Sequence, residues 1–190
     1  MPTLAIKAAG MVTAVGFNAP GTCAALRAGV RNVNQTNLWD PETGTYLAAG
    51  KVDLPQWWVG IGKLADLVAP AILECFAAAK PIPPQDIPVL LGVAAQDRPH
   101  RLPRLDQEIG PEIEHRLGFR LHPASRVIAS DRVAVAVALR HAEEILHRNQ
   151  APCVVVAGVD SLLQHELEEY YLDRRRLLTP ENSNGFSLGE

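Results

Sequence analysis

Cysteine is scarce in this chain: Cys23, Cys75 and Cys153 are the three among 190 residues. An odd number at wide spacing makes no disulfide framework, and no CxxC pair is present. The six histidines offer no metal-binding spacing. His141 and His147 are six apart, which does not put them on one helical face. Charge of one sign is also lacking. The net charge of -3 points to no nucleic acid. No uninterrupted apolar run reaches membrane length, and the opening MPTLAIKAAG has no signal-peptide pattern. There is no glycine-rich phosphate loop either. AAGMVTAVG has glycines at 10 and 16 only, which is not the dinucleotide fingerprint. These absences lead us to expect a reduced, cytoplasmic protein that uses no metal, cofactor, membrane or nucleic acid.

Apolar residues make up 47% of the chain and charged residues 21%, which favours a folded globular protein. The length suits one substantial core, or one half of a larger two-part fold. Leu4 to Ala8 reads as a short buried strand. Pro20 suits the first turn of a following helix and Gly29 its end. Residues 31–60, with the pair Trp57–Trp58, read as an irregular excursion that has room for one short hairpin. Leu64, Leu67, Val68, Ala71, Ile72, Cys75 and Phe76 recur at helical spacing, with Pro70 as a kink. Strands are expected at 89–94, 125–129 and 153–157. The last is apolar on both faces, as in a covered parallel sheet. A helix at 105–117 should close at Gly118, and residues 133–146 should form a buried helix. Ser161 with Gln164 reads as a capping box opening one more helix. Its acidic residues, Glu166, Glu168 and Glu169, come early, and Arg174, Arg175 and Arg176 come late. Arg98, His100, Arg101 and Arg104 read as a solvated basic loop. The alternation of strands and helices is α/β, with no repeat or linker dividing it.

Two stretches carry a family likeness. GMVTAVGFNAPGTCAALRAGVRNV, residues 10–33, is similar to the opening of β-ketoacyl synthases. VVVAGVDSLL followed by RLLTPENSNGFSLGE, residues 154–190, resembles that family's Ala-Gly strand end, helix, loop and Gly-Phe-x-x-Gly-Glu turn. Gly185, Phe186, Gly189 and Glu190 fit the turn. The resemblance implies a thiolase-like fold of two βαβαβαββ halves. This chain would be most of the first half, residues 1–190, incomplete at its C-terminal end, with a mostly parallel sheet and a buried central helix. It also implies an acyl carrier protein or acyl thioester as partner. A homodimer would form through residues 125–129, the strand that pairs with its own copy across a two-fold axis.

In such synthases the nucleophilic cysteine sits at the turn between that strand and the buried helix. Here the turn reads IASDRVAV, and the nucleophile positions fall on Ser130, Asp131 and Arg132. None is a thiol, and a serine beside an aspartate without a histidine has no base to activate it. Ser130 or Asp131 can instead cap the helix, and Arg132 can hold an anionic group such as a pantetheine phosphate. The three cysteines are expected to be structural. Three functions stay open on these residues: a degenerate, non-condensing synthase-like protein of fatty-acid or polyketide type; a non-catalytic partner or scaffold subunit of chain-length-factor type; and an unrelated α/β binding domain.

Overall fold

The computed structural model describes residues 4–55 and 59–190. Trp57 and Trp58 lie outside the described residues. The structure is mixed α/β, with five α-helices and two three-stranded sheets among those residues. The first sheet contains β1 (Val33–Asp40), β2 (Thr45–Gly50) and β6 (Leu188–Gly189). Its first two strands form an antiparallel hairpin, and β6 adds to β2 in parallel. The excursion at 31–60 is therefore built around the hairpin for which its sequence left room. The second sheet is all parallel, in the order β4 (Arg126–Ala129), β3 (Val89–Val93), β5 (Val155–Gly158).

Every residue of the central strand β3 is buried, because helices cover both faces. Val89, Leu91 and Val93 face α2 (Ile61–Ala78) and α3 (Leu105–Leu117). Leu90 faces α4 (Ala134–His147) instead. The switch of face at each residue is the pleat of a strand. Helix α2 runs on through Pro70, and α3 ends where its sequence indicates, at Gly118 with φ 78°. Helix α1 (Ala19–Arg27) is capped by Asn18, whose side chain accepts from Gly21 N at 2.7 Å. Glu74 of α2 takes the Ala19 N–H at 3.0 Å, tying the two helices together.

Three expectations change. Residues 4–8 form no strand: Leu4 is exposed and Ile6 is 92% exposed. A strand exists only with a hydrogen-bonded neighbour, and none pairs here among the described residues. Helix α5 (His165–Asp173) starts four residues after Ser161. The Ser161 hydroxyl donates to Glu190 at 2.9 Å and accepts from Leu163 N at 3.3 Å in a turn before the helix, whose N-cap is Gln164, so no capping box forms. Helix α4 is not the buried central helix expected from its valines. Ala134, Ala138, Ala142 and Ile145 face the sheet, while Val133, Val135 and Leu139 are exposed. The small residues win the inner face because the approach is tight. A Cβ on Gly92 would lie 2.8 Å from the Ala134 side chain.

Candidate functional site

In a parallel sheet covered by helices, the carboxyl ends of the strands bring loops together. Here the loops after β3, β4 and β5 meet around Arg98. Its side chain is 8% exposed. Both guanidinium nitrogens Nη1 and Nη2 bond the Asp160 carboxylate, Nη2 to Oδ1 at 2.7 Å. Asp131 Oδ1 lies 3.5 Å from Nη1 and also accepts from Ala95 N at 3.1 Å. Burial works against the Arg98 charge, but Asp160 and then Asp131 outweigh it and raise the guanidinium above its ordinary value. Arg98 Nε is buried without a partner among the described residues.

This arrangement revises the reading of the turn at 130–132. Neither Ser130 nor Asp131 caps a helix through its side chain. Asp131 sits in the left-handed region at φ 48°, and its carboxylate is committed to the loop after β3. The Ser130 hydroxyl has no hydrogen bond among the described residues, to a histidine or otherwise. Arg132 points outward and is exposed. The basic loop is not simply solvated either. Arg101 bonds Asp106 and donates to Ala94 O at 3.0 Å, whereas Arg104 stays exposed beside Glu108.

The chain of contacts continues across to the first sheet. Asp160 Oδ1 accepts from Ser161 N at 2.9 Å. The Ser161 hydroxyl bonds Glu190 Oε2 at 2.9 Å, and Lys63 Nζ reaches the same oxygen at 2.5 Å. Glu190 Oε1 accepts from Val52 N at 3.0 Å. The Glu190 side chain is fully buried. A line of charged and polar groups thus runs Asp131–Arg98–Asp160–Ser161–Glu190–Lys63. The sequence singled out Asp131 and Glu190 as motif positions, gave Arg98 and Ser161 other roles, a solvated loop and a helix cap, and missed Asp160 and Lys63. The Asp160-Ser161 pair at the end of an apolar strand is the signal that could have found the middle. Beside the line is a cavity of about 210 Å³, lined by Met11, Val12, Leu67, Val68 and Val159 together with Asp160 and Glu190.

The other motif residues shape the turn that carries Glu190. Phe186 N donates to Arg176 O at 2.9 Å, and Leu178 N donates to Phe186 O at 2.9 Å. The Phe186 ring meets Tyr171 edge-on at 5.1 Å. Gly189 pairs with Gly50 in β6. These contacts fasten the hairpin sheet to α5 and give the motif an architectural role.

No thiol is poised for nucleophilic attack at the turn. Cys23, Cys75 and Cys153 are all free and half-buried. Burial pushes the Cys75 thiol up, with Glu74 adding to it, and burial alone does so for Cys153. A raised thiol is a poorer source of thiolate. Among the described residues no group of three or more histidine, cysteine or acidic side chains could hold a metal ion. No helix among them is long and apolar enough to cross a membrane.

One buried carboxyl lies outside this network. Glu168 of α5 has a side chain 1% exposed, and its Oε1 has no partner among the described residues. Burial raises it above the usual carboxylate range; His165 at 3.4 Å opposes this, and Glu169 and Asp40 add to it. The folded protein therefore holds this proton at pH values where the unfolded chain has lost it. The associated stability is complete below the ordinary carboxylate value and is lost as pH rises through the folded one. Glu168→Gln should raise stability at pH 7 by on the order of 1 kcal/mol, the charge no longer being buried. The gain should shrink toward pH 4. Urea titrations across that range measure it, and a variant less stable at pH 7 would contradict the assignment.

Compared with known proteins, the chain matches no protein-family model and no curated sequence.

Proposed function

We propose that this chain is a β-ketoacyl-synthase-like protein that performs no condensation itself. It acts as a partner or scaffold subunit beside acyl-handling enzymes and meets an acyl carrier protein or its acyl thioester. The observation that carries this reading is the turn between β4 and α4. The resemblance places a cysteine nucleophile there, and the chain has Ser130, Asp131 and Arg132. Asp131 is held by Arg98 and the Ala95 N–H, so it cannot serve Ser130 as a base. Two features lend support. Strand β4 lies at an edge of the parallel sheet, the position the homodimer through residues 125–129 requires. Glu190 of the Gly-Phe-x-x-Gly-Glu turn is buried and paired, as a structural motif should be.

Incubation with an acyl-carrier thioester, followed by intact-mass analysis and a binding measurement on the same sample, tests the reading. The expected result is binding of the carrier protein with no acyl adduct on Ser130 or on any cysteine. A stable mass gain mapping to residues 130–132 would make the chain a synthase of unusual chemistry. Absence of carrier binding would remove the partner role. A second reading, an α/β binding domain unrelated to condensing enzymes, draws on the exposed outer face of α4, where the resemblance implies burial. It predicts neither carrier binding nor acylation.

A further inference from the structure

Helix α5 rests on a small core of its own. Leu167 is fully buried. Tyr171 and Leu172 pack in a cluster with Leu38 of β1, Leu47 of β2, Leu188 of β6 and Phe186. This cluster shares no residue with those on the two faces of the parallel sheet. Two further ties lie at the surface. Arg175, just past the helix, reaches Glu42 at 3.1 Å, and the His100 ring meets Tyr170 edge-on at 5.6 Å. A unit attached in this way can open while the rest stays folded.

Inside this contact lies Glu168, with one carboxyl oxygen, Oε1, buried and without a hydrogen-bond partner among the described residues. The charged groups that act on it are His165 and Glu169 of α5 and Asp40 of β1. Asp40 is itself buried. It accepts from Glu42 N at 2.9 Å and from Thr43 Oγ1 at 2.6 Å, and has no cationic partner among the described residues. His165 Nδ1 approaches Glu168 Oε2 at 3.4 Å, but the ring is 71% exposed and is shared with Glu169 at 3.3 Å. The protonated carboxyl sits here as a neutral group. A carboxylate would set a second buried negative charge beside Asp40, with only a solvent-screened imidazole to balance it. We propose that α5 is a latch released by rising pH: loss of the Glu168 proton frees α5 from β1 and its apolar cluster, while the parallel sheet stays folded. Opening releases one proton to solvent. Docking is therefore complete below the ordinary carboxylate range and is lost as pH rises through the value of the docked carboxyl. Release would uncover Leu167 and the Phe186 ring. A loss of stability spread over the whole fold would follow from the burial of Glu168 alone, whereas its confinement to α5 follows from the separate core. The inference stands on α5 and the hairpin sheet and does not draw on the proposed function.

Hydrogen exchange read by mass spectrometry from pH 5 to pH 8 tests it, as protection factors that divide out the intrinsic rate of each amide. Peptides covering α5 should lose protection by up to about tenfold per pH unit, the limit for release of a single proton. Peptides from β3 should keep theirs over the same range. Glu168→Gln has no proton to release, so its α5 should keep a flat profile, and far-UV circular dichroism checks that the variant is folded. The profile of the parent chain tests the latch whatever the variant does. A parent whose α5 protection does not change with pH would overturn the proposal. So would α5 and β3 losing protection together, which would make the opening global. A folded Glu168→Gln whose α5 loses protection as the parent does would overturn it as well, since another group would then carry the proton.

Discussion

Lys63→Met should cost about 3 kcal/mol of stability or more, measured by urea unfolding at pH 7, because it strands a buried carboxylate. Glu190 is fully buried at its side chain, and Lys63 is 11% exposed. Val52 N and the Ser161 hydroxyl would remain as donors, but neither carries the charge that balances the carboxylate. Removing one member of a buried pair is far worse than removing both, since desolvation falls on whatever charge is left. Lys63→Met combined with Glu190→Gln should therefore recover most of the loss. The glutamine amide can still accept from Val52 N. A single variant within about 0.5 kcal/mol of the parent, the range of ordinary surface changes, would show that Glu190 is not held as a charged group. The same pair joins the hairpin sheet to α2, so hydrogen exchange should show β2 and β6 opening first in the single variant.

Gly185→Ala should be comparably damaging. An ideal Cβ there would lie 2.0 Å from both the carbonyl carbon and the oxygen of Leu177. These are backbone atoms, so no rotamer change relieves the overlap. The strands of the turn would have to part, breaking the Leu178–Phe186 and Phe186–Arg176 backbone hydrogen bonds. The expected loss is about 3 kcal/mol, at the upper end for overpacking. It should be accompanied by loss of protection in α5 and β6. Gly110→Ala is the control. Nothing lies within 4 Å of a Cβ added at Gly110, and it sits inside α3, where alanine is the better helix former by up to about 1 kcal/mol. That variant should be neutral or slightly more stable. Equal effects at the two glycines would refute the steric argument.

Much of the local structure was legible in the residue order. Helix α3 and its stop at Gly118, the helix opened by Pro20, and the buried strand expected at 89–94 and found at 89–93 all follow from signals acting over a few residues: apolar spacing, a glycine able to take positive φ, a proline suited to a first turn. The absence of a thiol from the strand–helix turn was also plain in the sequence. Tertiary structure decided what those signals could not reach. Arg98 meets Asp160 across 62 residues, Ser161 meets Glu190 across 29, and Val52 meets Glu190 across 138. No local pattern specifies such pairs. Leu4 to Ala8 has the composition of a strand and lacks a neighbouring one, because pairing is a property of two segments. Ser161 has the spacing of a helix cap, yet it is held by a glutamate 29 residues away. In α4 the alternation of valine and alanine fitted burial on all sides. Packing against β3 at Gly92 admitted Ala134, Ala138 and Ala142 and left Val133 and Val135 outside, because the closest approach between a helix and a sheet is set by the smallest side chains facing it.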